Sequence, residues 1–383
     1  MTLFSRLRRL IGRAAPPPAP VAQAPRPLSE TLDFNHPAIA RDPFPHWEAL
    51  RAQGPVHLLP RTGGWMVLGF EEVKEAFARP DVFSNAPYAY VDAVLLGADP
   101  PAHTAARRLV APHFTPKRLG RIEELSAAAA RAAIRRRFDA VGGFARPVTR
   151  ALAQGLLGFD AATLAEIDAL VEAKVADPLP DLLAALEPFG PRAGIYHDLL
   201  RDGAGLIDEA EARSLVRLLW FASVTTTDRT LAHSVLKLVD DQTLQQRLRA
   251  DRTLLAPFVE EVMRLHPPEQ ALPRIATADA ELGGKAIPAG AMVFLSVGAA
   301  NRDPAMFEAP AELRLERGSK RHLAFGGGIH HCVGGPLARR VVLAALGELL
   351  DGTAELRAAE PLDAIPWSAT LNALAPTRLE VET

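Results

Sequence analysis

The chain has 383 residues, 48% hydrophobic and 23% charged, with a formal net charge of -2 and one cysteine. These proportions exclude a disordered or fibrous chain, and the near-neutral balance gives no overall pull toward nucleic acid or anionic membrane. A single thiol excludes an intramolecular disulfide framework and points to a reducing compartment, the cytoplasm.

In chain order, residues 1–13 are short, basic and amphipathic, and residues 15–27 are rich in Ala and Pro. Arginines interrupt the leucines, unlike the apolar centre of a secretory signal. Residues 1–30 therefore read as a solvated, disordered tail; the alternative is contact of 1–13 with a membrane surface or a partner. One domain is expected over 31–383. Apolar residues recur at helical spacing in 152–157, 164–171, 215–238, 244–263 and 337–350. Strand-like runs are fewer: 64–68, 280–282, 292–297 and 379–381. The fold class is mainly α with small β-sheets. No run approaches the roughly 18–20 apolar residues of a spanning helix, and the most apolar segment, 218–224, is too short.

Four segments carry chemistry. After Pro100 and Pro101, His103 and Arg107 lie four apart on one helical face, two cations that need an anion from solvent or a ligand. The centre of the 215–238 helix holds Thr225, Thr226, Thr227 and Asp228, whose hydroxyls can bond back to helix carbonyls. Asp228 is two positions past Thr226, roughly 200° around the helix, so it cannot act directly beside it. Glu261 and Arg264 share a helix face and can pair, worth a few tenths of a kcal/mol if solvated. Last, Phe325 to Gly335 is a glycine-rich loop with His330, His331 and Cys332, followed by Pro336 and an amphipathic helix. The thiol thus sits at a helix N-terminus, where unpaired N–H groups favour thiolate. A nucleophile with a histidine base, as in a cysteine hydrolase, a zinc ligand, a buried structural cysteine and an iron or haem ligand all remain open at this point.

The loop resembles the signature F-G-x-G-x-H-x-C-x-G of the cytochrome P450 family, through Phe325, Gly326, Gly328, His330, Cys332 and Gly334. Residues 300–304 and 321–324 also match stretches of soluble bacterial members, as does the Glu261/Arg264 pair, whose family role is structural. The resemblance implies a triangular-prism helical domain enclosing haem b, with Cys332 as axial thiolate and Phe325 beside the sulfur. It places His103, Arg107, Arg274 and His330 against the haem propionates, and Gly326 and Gly334 in the haem-binding loop. The family pattern A-G-x-[DE]-T aligns Thr226 with the catalytic threonine; Ser223 replaces the glycine and Thr225 stands where the acid is expected. Thr225 and Thr226 are therefore the candidate catalytic residues, with the route of protons left open.

By the same resemblance, Phe221, Ala222, Gln270, Leu272 and Leu371 line a pocket for a small apolar or amphipathic molecule. The implied reaction is monooxygenation with O2. The alternatives are use of peroxide, or coupling, dehydration or rearrangement on the same haem, and a non-catalytic haem-binding or sensing protein. Electrons would come from a separate ferredoxin or flavodoxin, docked on Arg108, Lys320, Arg321, Arg339 and Arg340.

Overall fold

The computed structural model describes residues 27–173, 179–317 and 321–383. The expectations for residues 1–26, the 1–13 segment included, and for Lys320 fall outside these residues; at the end of the 1–30 stretch expected to be disordered, Leu28–Thr31 is a short helix. Among the described residues no helix is long and apolar enough to cross a membrane.

A 32-residue helix, Glu209–Asp240, runs through the centre. Its start is fixed by a capping box: the Asp208 side chain accepts from the Glu211 N–H, and the Glu211 side chain accepts from the Asp208 N–H. Seventeen of its residues are buried, on all sides, so its middle behaves as the core of a large helical domain while Glu209, Ala210 and Asp240 at its ends are exposed. Arg146–Leu157, Pro116–Ala133, Leu255–Leu265 and Gly335–Asp351 pack around it or around one another. Their shared interior joins Phe144, Leu152, Leu215, Val235, Phe258 and Leu346 in one apolar cluster.

The sheet that flanks this helical body has five short strands. Gly64–Val67 pairs in parallel with Met292–Leu295, which pairs antiparallel with Leu272–Ala276, setting Arg274 opposite Val293. Leu272–Ala276 escapes periodicity because it is short and contains Pro273. The run 244–263, apolar at helical spacing, forms two helices, Gln242–Ala250 and Leu255–Leu265, joined by a 3-10 turn. Asp251 makes the break, accepting from the Thr253 N–H and hydroxyl.

Candidate functional site

The glycine-rich loop lies between the sheet and the Gly335–Asp351 helix. Gly326 and Gly328 have φ of +67° and +61°, a region costly for residues with a Cβ. A Cβ at Gly328 would also collide with the Phe77 carbonyl. The loop closes when the Cys332 N–H donates to the Phe325 carbonyl at 2.9 Å. The N–H groups of Gly334 and Gly335 hold the Cys332 thiol pKa down, but burial pushes it up further, so the net shift is upward. Although deeply set, Cys332 is exposed. A hollow opens on the loop that carries it, through Ala324 and Phe325, and reaches Thr226, Thr227 and Thr230.

One rim of the loop gathers basic side chains. The rings of His103 and His330 stand 4.2 Å apart, and both nitrogens of His103 and Nε2 of His330 lack hydrogen-bond partners. Arg274 is 4% exposed and donates to the carbonyl of its neighbour Pro273 at 2.8 Å. Burial lowers the Arg274 pKa to about 10, and burial together with His103, Arg274 and Arg107 pushes His330 down to about 3. Asp99 is the carboxylate felt by both His103 and Arg274. It is already engaged by the Ser84 hydroxyl at 2.5 Å and the Asn85 N–H at 3.3 Å. Gathering guanidinium and imidazole groups without paired acids costs free energy unless an anion arrives. The donor set fits a ligand carrying two carboxylates, because guanidinium binds carboxylate through parallel N–H bonds.

Across the hollow, the central helix turns its hydroxyls inward on itself. Thr226 donates to the Ala222 carbonyl at 2.6 Å, Thr225 to Phe221 at 2.8 Å and Ser223 to Trp220 at 3.1 Å. Ala222 is exposed and Phe221 half-buried, in a stretch otherwise enclosed by protein. Asp228 points elsewhere: it accepts from the Thr149 hydroxyl at 2.7 Å, and burial raises its pKa to about 6.

Other expected positions are placed differently. Gln270 is 1% exposed, donates to the Pro267 carbonyl and lies over Gly298, and Leu371 packs with Trp47 and Leu59. Neither presents its side chain to open space; Leu272 is partly buried at the start of the Leu272–Ala276 strand. The expected docking patch is also depleted. Arg339 holds Glu260 through two hydrogen bonds of 2.7 and 3.1 Å and lies 4.1 Å above the Phe325 ring, while Arg340 pairs with Glu123. Arg108 and Arg321 stay exposed. Two pairs escaped the sequence reading, Glu260 with Arg339 and Arg229 with Glu269. For the second, the available signal was that Arg229 lies three residues beyond Thr226 on the same helix stripe.

A family model described as Cytochrome P450 matches residues 196–352. Cytochrome P450 144 of Mycobacterium tuberculosis is 33% identical over 369 residues, covering 84% of this chain and 85% of that protein. The cytochrome P450 monooxygenase PikC of Streptomyces venezuelae is 32% identical, covering 83% and 85%. Among solved structures, CYP150A6 of Mycobacterium marinum superposes with a TM-score of 0.81 at 26% identity, covering 93% of this chain and 99% of that one. The chain belongs to the cytochrome P450 family, oxidoreductases whose cofactor is haem b held by a cysteine thiolate.

Proposed function

We propose that residues 31–383 form one catalytic domain of a cytoplasmic monooxygenase. It inserts oxygen from O2 into a small apolar or amphipathic molecule, with electrons from a separate ferredoxin or flavodoxin. The observation that carries this reading is the unpartnered ring nitrogens of His103 and His330, which stand with Arg107 and Arg274 near Cys332 while the nearby carboxylate, Asp99, is held by Ser84 and Asn85. Cys332 is the residue to ligate iron, since it is the one soft anionic donor available. His103, Arg107, Arg274 and His330 bind the two propionates. Phe325 covers the sulfur, and Gly326 and Gly334 let the loop backbone approach it.

When bound, the haem supplies the iron centre at which O2 is activated. The rest falls to the chain. Thr226 commits its proton to the Ala222 carbonyl and so offers its lone pairs to a donor, and Thr225 is locked to Phe221 in the same way. Phe221 and Ala222 provide an apolar wall against which a substrate excludes water. The names of related proteins support an apolar or amphipathic substrate: a cyclomarin C epoxidase and a vitamin D3 dihydroxylase are 31% and 32% identical.

The test is the absorption spectrum of the reduced, carbon monoxide-bound protein. We expect the red-shifted Soret band of thiolate ligation, lost in Cys332→Ser. A colourless protein after haem supplementation, or an unchanged band in Cys332→Ser, overturns the assignment.

A further inference from the structure

We propose that Glu269 supplies the carboxyl group that the central helix lacks beside Thr226, and that Arg229 is the positioning residue that holds it there. The inference rests on the reading of the chain as an O2-using haem-thiolate enzyme. Inserting one oxygen atom into a C–H bond and releasing the other as water consumes two electrons and two protons. The electrons come from the external donor, so the chain must conduct the protons.

Thr225, at the place expected for an acid, cannot give a carboxyl proton. Two acids lie close to Thr226 in the chain or across the fold. Asp228 is directed at the Arg146–Leu157 helix, where Thr149 donates to it and Arg146 and Asp168 stand near. Glu269 is placed otherwise. Its Oε1 accepts from Nη1 of Arg229 at 2.7 Å, and the same nitrogen donates to the Pro268 carbonyl at 3.0 Å. Arg229 is three positions past Thr226, a spacing that sets side chains side by side on a helix. Pro268, adjacent to Glu269, walls the same hollow as Thr226 and Thr230.

The pair is deep yet open. The side chains of Arg229 and Glu269 are 26% and 32% exposed, although burial raises the Glu269 pKa against the lowering effect of Arg229. Tyr88 and Tyr90, from the segment after Phe83–Ser84, feel the Glu269 charge. A carboxyl in this setting holds a proton more readily than a solvated one and releases a carboxylate that Arg229 stabilises. The proton moves through water toward the Thr226 hydroxyl, and bulk water restores it to Glu269.

The test needs no substrate. Haem-loaded protein is supplied with NADPH through a surrogate ferredoxin and its reductase, and O2 consumption is followed in H2O and D2O. In Glu269→Gln we expect consumption to fall by about tenfold or more with a larger solvent isotope effect, while the rate of the first reduction under carbon monoxide is unchanged. Arg229→Lys keeps the cation but moves the carboxyl, and a smaller loss with the same isotope signature is expected. Asp228→Asn should match the parent. Glu269→Gln and Arg229→Lys consuming O2 at the parent rate and isotope effect would overturn the proposal, and loss confined to Asp228→Asn would give the role to that residue. A parent protein without the thiolate Soret band would instead sink the underlying reading.

Discussion

Two buried arginines, Arg264 on the Leu255–Leu265 helix and Arg274 on the Leu272–Ala276 strand, are treated in opposite ways. Arg264 is 1% exposed and fully answered: Nε and Nη2 hold Glu261 at 2.7 and 2.8 Å, and Nη1 donates to the carbonyls of Asn301 and Pro310. Glu261 also accepts from Arg317 and the Arg314 N–H. Arg274 is 4% exposed, and the hydrogen bond it makes goes to its neighbour Pro273. A completed buried network is structure; a buried cation set without its anion is a binding site awaiting one. The Glu261/Arg264 helix and the Arg274 strand are thus separable by their hydrogen bonds alone.

The largest effect is expected from breaking the completed network. Glu261→Ala leaves Arg264 and Arg317 charged and unpaired in the interior, a loss of about 3–5 kcal/mol. Urea denaturation of the haem-free and haem-loaded proteins should show a similar loss in both, because the network does not need the cofactor. A loss seen only with haem bound would make Glu261 part of the site instead.

A third arrangement sharpens the contrast, since His233 and His266 are buried bases with neither acid nor ligand. Their rings stack at 4.5 Å, and Nδ1 of each is unpartnered. Burial lowers His233 from 6.5 to about 4, despite the Leu374 carbonyl that faces its Nε2. The folded state therefore refuses a proton that the unfolded chain accepts. Stability is full above pH 6.5 and declines as pH falls toward about 4, by about 3 kcal/mol from His233 alone. Haem-free His233→Gln should show a flatter decline over that window; an equal slope would mean other groups govern it.

How much of this was legible in the sequence follows from the range of each interaction. The cysteine loop was readable because Gly326, Gly328 and Pro336 act on their own backbone, within a few residues of Cys332. The central helix was readable from its long apolar period, and the absent acid from its neighbours. The depth of the Glu261/Arg264 pair was not: two residues three positions apart look like a surface bridge until Asn301, Pro310 and Arg317 arrive from downstream. Arg229 with Glu269 and Glu260 with Arg339 join positions 40 and 79 residues apart, which no local pattern reports. Gln270 and Leu371 went to the core through contacts far from them in sequence, Gln270 against Gly298 and Leu371 with Trp47 and Leu59.

The smallest effect, and the most specific, is expected at Arg274. Removing a paired buried charge harms the fold, whereas removing an unpaired one relieves it. Arg274→Leu should leave the haem-free protein at least as stable to urea as the parent, since Leu fills the site without a charge to desolvate. The haem-loaded protein should release its cofactor about tenfold faster to a haem-scavenging globin, about 1.4 kcal/mol of lost propionate binding. Arg274→Lys should lie between, because a single ammonium cannot make two parallel bonds to a carboxylate. Parent-like haem retention in Arg274→Leu, or a drop in haem-free stability like that of Glu261→Ala, would erase the distinction between the two arginines.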